Sequence, residues 1–82
     1  MYFVYILQSE SNQHYYIGQT QDLELRLIKH NSNGNTSTRN KGPWKIVYSK
    51  SYETRAEAIK EESRIKKQKS RKYIESLINA SG

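Results

Sequence analysis

Along this chain the rhythm of apolar and polar positions changes several times, and each change marks an element. Tyr2 to Leu7 is a β-branched and aromatic run that predicts a strand. Polar Ser9 to His14 reads as a turn, and Tyr15 to Gly18 resumes the aromatic and β-branched run. Residues 2–20 therefore predict one antiparallel hairpin. Gly18, late in its second strand, predicts a bulge or a close backbone approach. Thr20 or Asp22 can cap a helix running to about His30, with Leu23, Leu27 and Ile28 as its buried stripe. Asn31 to Pro43 is a polar loop rich in Asn, Ser, Thr and Gly, long for a compact domain, and such loops are often functional or mobile.

Trp44, Ile46, Tyr48 and Tyr52 then fall on alternate positions, with Lys45, Ser49 and Ser51 between them. That pattern predicts a half-buried strand, although Val47 blurs the alternation and Lys50 interrupts it. Thr54-Arg55-Ala56-Glu57 forms a capping box and opens a helix through about Lys67. A last helix is predicted over Arg71 to Ile78, with Ile74, Leu77 and Ile78 inward. The order ββαβαα predicts an α+β fold, a three-stranded antiparallel sheet flanked by helices. No repeat and no internal boundary interrupts it, so residues 1–82 are expected to make one domain.

Composition narrows the class. A domain this short hides only ~60% of the surface its unfolded chain exposes, so the core must be thin. Seven tyrosines, one tryptophan and one phenylalanine help to fill it. The absence of cysteine removes disulfides, thiolate metal sites and thiol nucleophiles together, and points to the reducing cytoplasm. The apolar start is too short for a membrane span and lacks the features of a signal peptide, so no membrane partner is expected.

Fourteen Lys and Arg against eight Asp and Glu give a net charge of +6, which favours polyanionic partners through counterion release. Between Arg64 and Lys72 the basic residues Arg64, Lys66, Lys67, Lys69, Arg71 and Lys72 occur with no acid among them. That run reads either as a solvated face or as a phosphate-contacting ridge, and its lack of acids leans towards the ridge. Arg39 and Lys41, in the polar loop, either clamp a strand or belong to a spacer.

One carboxylate breaks a stripe. In the helix after Thr54 the apolar positions are Ala58, Ile59 and Ile65, and the helical period puts Glu62 among them, with Glu61 off that face. A carboxylate inside an apolar layer needs a partner, whether Arg, Lys or a divalent cation such as Mg²⁺. The alternative is a Glu62 at the stripe's edge that reaches water. Arg26 and His30, four apart on the first helix, share a face. They suit phosphate and proton transfer respectively, or simply an ordinary solvated helix face. Tyr5 and Tyr16 lie on adjacent strands, where tyrosine is usually core.

Taken in order, these residues resemble a known family. Phe3-Val4-Tyr5, ten residues, then Tyr16-Ile17-Gly18 resemble the paired motifs of the GIY-YIG endonuclease superfamily. Asp22-Leu23, Arg26-Leu27 and His30-Asn31 follow as in its first helix, and Glu62 with Ile65-Lys66 as in its second-helix motif. The likeness covers almost the whole chain and is closest to the small stand-alone UPF0213 group. Phe3 and Val4 replace the first motif's glycine and isoleucine, which fits a subgroup trait with the tyrosine kept. Asn79 sits near the family's terminal asparagine but aligns loosely and is left outside the catalytic set.

The resemblance implies a metal-dependent phosphodiesterase acting on nucleic acid, DNA more than RNA, with Mg²⁺ or Mn²⁺ as cofactor. It implies that Tyr5 helps deprotonate the attacking water and that Tyr16 orients the water or the phosphate. Arg26 would pair with the scissile phosphate, His30 would assist proton transfer or hold the tyrosines, and Glu62 would bind the metal. Gly18 would leave room for backbone near the site. A free phenol, with a pKa of ~10, is a poor base at neutral pH, so Tyr5 needs positive charge from the metal, Arg26 or Lys66 to lower it. Metal-bound hydroxide is the competing nucleophile, and both accounts stand. A chain of this size leaves no room for a recognition domain, which predicts low sequence specificity or a protein partner that supplies it. The rival class is a DNA- or RNA-binding module that keeps the fold without catalysis.

Overall fold

A three-stranded antiparallel sheet runs through the middle of the computed structural model, which describes residues 1–32 and 41–81. The elements are β1 (Tyr2–Ser9), β2 (Tyr15–Thr20), α1 (Leu23–Asn31), β3 (Trp44–Tyr52), α2 (Arg55–Gln68) and α3 (Arg71–Ser81). The strand order is β2-β1-β3, so β1 is central and both of its neighbours run against it. The α+β architecture and the order ββαβαα are those expected from the sequence.

The central position of β1 explains its composition. Side chains alternate across a strand, so an unbroken apolar run belongs where both faces are covered. Val4, Tyr5, Ile6 and Leu7 are all buried. On one face Val4 packs with Ala58 and Ile65 of α2, joined by Ile17, Tyr52 and, from α3, Tyr73, Ile74 and Leu77. On the other, Tyr5 and Leu7 pack with Trp44, joined by Tyr16, Ile46 and, from α1, Leu23 and Leu27. The sheet thus lies between α1 and the pair α2–α3.

β3 departs from the simple alternation. Ile6 pairs with Tyr48 but Leu7 pairs with Ile46, so a bulge leaves Val47 as the extra residue. One added residue turns the following side chains over. Trp44 and Ile46 therefore serve the α1 face, while Tyr48 and Tyr52 serve the α2 face. They do not share the single buried face that their spacing predicts.

The helices correct two further expectations. Asp22 is the N-cap of α1 and accepts from the Leu25 N–H at 3.0 Å. Thr20 braces it, accepting from the Asp22 N–H at 3.2 Å. Ile28 is 62% exposed, and the buried stripe of α1 ends on His30 in its place, so it runs Leu23, Leu27, His30. In α2 Ile59 is likewise exposed, and Ala58 and Ile65 carry the stripe. Between them both Glu61 and Glu62 are half-buried, so Glu61 is not off the face. Its carboxylate sits against the sheet's tyrosines and is held by Arg64, which keeps its pKa below the usual range. Thr54 caps α2 by accepting from the Glu57 N–H. Left-handed Lys69 ends that helix, and Ser70 accepts from the Tyr73 N–H to begin α3. Among the described residues no helix is long and apolar enough to cross a membrane.

Candidate active site

The α1 face of the sheet is where the chemistry-bearing residues gather. In the β1–β2 register Tyr5 lies opposite Gly18, and Leu7 opposite Tyr16. A Cβ on Gly18 would fall 2.6 Å from the Tyr5 hydroxyl oxygen, 2.8 Å from its Cζ and 3.2 Å from Cε1 of Tyr16. The pairing around Gly18 is regular and its φ is negative, so neither a bulge nor backbone freedom is the reason for glycine. The reason is space. The phenol of Tyr5 lies across the strand where a side chain would stand.

His30, the last buried position of α1, packs over both tyrosines. Its ring centroid is 4.8 Å from that of Tyr16 and 6.1 Å from that of Tyr5. The Tyr5 hydroxyl is hydrogen-bonded to Nε2 at 3.1 Å, and the tautomer decides which partner donates. Burial lowers the pKa of His30 and the Arg26 guanidinium lowers it further, so the imidazole is neutral near pH 7. Tyr5 is pushed strongly upward, first by burial, then by Tyr16, with Arg26 opposing and Glu62 adding a little. The sequence requirement was a cation that lowers this phenol. Arg26 does act in that direction, and burial outweighs it.

Arg26 itself is half-buried, and its charge is felt by both Tyr5 and His30. Among the described residues it takes part in no ion pair. Glu62 approaches from α2, the helix on the opposite face, and its charge also registers at Tyr5, least of the four influences. Its Oε2 lies 2.8 Å from the Lys66 ammonium. Of the five residues singled out in the sequence, Tyr5, Tyr16 and His30 pack together on the α1 face, while Arg26 and Glu62 reach Tyr5 only as charges.

Among the described residues no three acidic, histidine or cysteine side chains come together as a metal cage. A cation here would have Glu62 as its single carboxylate. That donor set fits Mg²⁺, which keeps several waters and takes one or two carboxylates plus phosphate oxygens. The Lys66 ammonium competes for one of the two carboxylate oxygens, but its side chain is half exposed and free to swing away.

The basic ridge divides. Arg64 is gripped by Glu61 at two points, 2.7 Å and 2.5 Å, and also donates to the Tyr73 hydroxyl. Lys66 is paired with Glu62. Arg71 lies 3.6 Å from Glu75 and stacks over the Tyr15 ring at 4.8 Å. Lys67, Lys69 and Lys72 are exposed, and among the described residues they enter no ion pair. The run looks free of acids only along the chain, since the helix brings Glu61, Glu62 and Glu75 alongside it. Lys41 is exposed and lends its carbonyl to the Ser9 hydroxyl at 2.5 Å. Arg39 lies outside the described residues. Exposed Asn79 lines a separate groove with Gln8, Tyr15, Glu75 and Ile78.

Two residues carry more than their sequence suggests. Asn31, directly after His30, bridges both backbone groups of Trp44, accepting from its N–H at 2.6 Å and donating to its carbonyl at 3.1 Å. Arg55 lines a cleft together with Arg26. Neither is signalled by periodicity, because each depends on what the fold brings opposite.

Comparison with known proteins gives the family and the fold. The family model described as the GIY-YIG catalytic domain matches residues 1–74. A UPF0213 protein of Oceanobacillus iheyensis is 41% identical over 66 residues, covering 79% of this chain and 76% of its own. One from Halobacterium salinarum is 36% identical over 79 residues, 95% of this chain and all of the relative. The solution structure of a UPF0213 protein from Bacillus halodurans, 33% identical, superposes with a TM-score of 0.62 over 100% of this chain and 87% of that one.

Proposed function

The chain belongs to the GIY-YIG family, one of nuclease type, and on that premise we propose that it is a metal-dependent phosphodiesterase that hydrolyses nucleic acid, DNA in preference to RNA. The observation that carries this reading is the cluster of Tyr5, Tyr16 and His30 beside Gly18, with the Tyr5 hydroxyl 3.1 Å from Nε2 of His30 and the charges of Arg26 and Glu62 both reaching that phenol. A protein that only binds phosphate has use for the arginine. It has less use for a carboxylate such as Glu62, which repels phosphate unless a cation, Lys66 or a metal ion, lies between them.

In this reading Arg26 pairs with the scissile phosphate and stabilises the charge that builds on it. Tyr16 orients the attacking water. Its oxygen bonds to phosphorus as the bond to the leaving oxygen breaks, and its proton passes to Tyr5. Because Tyr5 is a neutral phenol of raised pKa, it takes that proton only as it gives its own to Nε2 of neutral His30, 3.1 Å away, in the tautomer that leaves that nitrogen bare. Glu62 is the residue that would hold Mg²⁺ or Mn²⁺, and the ion would supply positive charge against the phosphate and the leaving oxygen. Gly18 keeps the space in which the Tyr5 phenol lies.

Lys67, Lys69 and Lys72 contact flanking phosphates, joined by Lys41 and, from the loop, Arg39. Such contacts position a strand without reading bases, so specificity is low or comes from a protein partner. A chain without cysteine suits the cytoplasm.

A second reading has one observation in its favour. The Lys66 ammonium already neutralises Glu62, as a non-catalytic binding module would require. Labelled plasmid and branched DNA, incubated with Mg²⁺ or Mn²⁺, separate the two. The nuclease reading expects cutting that Glu62→Ala and Arg26→Ala each reduce by at least about a hundredfold. Equal cutting by all three proteins would assign the activity elsewhere, and binding without cutting would favour the second reading.

A further inference from the structure

Arg26 opens onto a cleft of about 350 Å³ lined also by Gln19, Thr20, Gln21, Asp22, Leu25 and Arg55. Its two cations come from different helices. Arg26 stands in the second turn of α1, and Arg55 is the first residue of α2. The only acid in the lining, Asp22, spends its Oδ1 on the Leu25 N–H. The Thr20 hydroxyl is turned onto the backbone of Asp22. The lining therefore carries two guanidiniums and the amides of Gln19 and Gln21 against a single carboxylate, that of the helix cap Asp22.

Arg55 is held in place without being neutralised. Its guanidinium lies over the Tyr2 ring, 5.4 Å from the centroid, and among the described residues it enters no ion pair. Stacking on a ring fixes the plane of a guanidinium while leaving the N–H edge open to an acceptor. A planar fork with a free edge is the geometry that recognises phosphate oxygens.

From this arrangement we propose that the cleft is a second phosphate subsite, in which Arg55 binds the phosphodiester next to the one held by Arg26. Arg55 is a positioning residue for the strand and not a catalytic one. The inference rests on the nuclease reading for what happens at Arg26, but its own claim concerns binding alone. The strand would run from Arg26 past the N-terminus of α1 to the first turn of α2. This subsite lies apart from the α2–α3 lysines, so the two sets of contacts would grip the strand at separate places.

The test uses the full chain and a fluorescein-labelled duplex of random sequence, with binding followed by anisotropy at several salt concentrations and no divalent metal. Arg55→Gln is expected to weaken binding by roughly 3- to 10-fold at low salt and to make the salt slope shallower by ~0.9, one phosphate's worth. Arg55→Lys, which keeps the charge but not the fork, should restore the slope and recover only part of the affinity. Cleavage, where it occurs, should show KM raised and kcat unchanged in Arg55→Gln, in contrast to Arg26→Ala. A merely structural arginine would alter the melting temperature and leave the slope alone. An unchanged slope in Arg55→Gln, with wild-type binding intact, overturns the subsite without touching the nuclease reading. A reduced slope in a protein that binds but never cuts overturns the nuclease reading and leaves the subsite standing.

Discussion

The hydroxyl of Tyr5 and Nε2 of His30 stand 3.1 Å apart, joining the central strand to the last turn of α1, with both residues no more than 2% exposed. A proton on that imidazole would place charge in a buried site within reach of the Arg26 charge, so its pKa is held below its ordinary value. In the unfolded chain the same group protonates near ~6.5. Unfolded protein then binds more protons as pH falls through that value, so stability is complete above it and is lost below it. The melting temperature should fall between about pH 7 and pH 5.5, and His30→Gln should flatten that dependence. A wild-type profile that is flat over this range, or a variant profile as steep as the wild type's, would contradict the neutral buried imidazole.

Gly18 sets the position of the Tyr5 phenol. Gly18→Ala should cost about 1–3 kcal/mol by overpacking and cut nuclease activity at least tenfold, since the hydroxyl must leave its place beside His30. Adding Tyr5→Phe removes the 2.6 Å contact but leaves Cζ at 2.8 Å, so the double variant should regain part of the stability and none of the activity. Calorimetry and plasmid cleavage together check this. Full activity in Gly18→Ala would show that the phenol's position is not needed.

Asn31 is the rivet between α1 and β3. Both of its amide atoms are spent on the backbone of Trp44, a residue only 5% exposed. Asn31→Ala should destabilise the fold by about 2 kcal/mol, because it removes both hydrogen bonds that tie α1 to the Trp44 backbone. Asn31→Asp keeps the acceptor but sets a carboxylate oxygen against the Trp44 carbonyl, and should also destabilise. Denaturant midpoints measure both, and a shift of less than a few tenths of a kcal/mol in Asn31→Ala would refute the bridge's importance.

The ridge lysines are unequal partners for nucleic acid. Lys67, Lys69 and Lys72, exposed and outside any ion pair, should contribute most of the counterion release. Their combined change to Ala is expected to make the salt slope shallower by about 1 to 3. Arg64→Ala should leave the slope nearly unchanged, since Glu61 and Tyr73 already occupy that guanidinium. Anisotropy against salt decides, and the reverse ranking would mean that the ion pairs open on binding.

The sequence alone carried the elements far. Caps at Asp22 and Thr54 lie where their side chains predict, because capping is a contact within three residues. The apolar run of β1 and the ββαβαα order were legible for the same reason, since both depend on the local period of burial. Among site residues, Glu62 is legible as a carboxylate out of place in a stripe and Arg26 and His30 as a pair on one helix face, but the roles of these and of Tyr5 and Tyr16 come only through the family likeness.

What the sequence did not carry depends on partners far along the chain. The Val47 bulge moves Tyr48 and Tyr52 to the other face from Trp44 and Ile46, and only pairing with Ile6 and Leu7 reveals it. His30 takes the buried place expected of Ile28 because the two tyrosine rings offer an imidazole a hydrogen bond and ring contacts that an isoleucine cannot use. The tertiary structure also decided which cations are already spoken for, and that burial overrides Arg26 at the Tyr5 hydroxyl. Local periodicity fixes which residues turn inward. It does not fix what they meet there, and in this protein the protonation states and the free charges follow from those meetings.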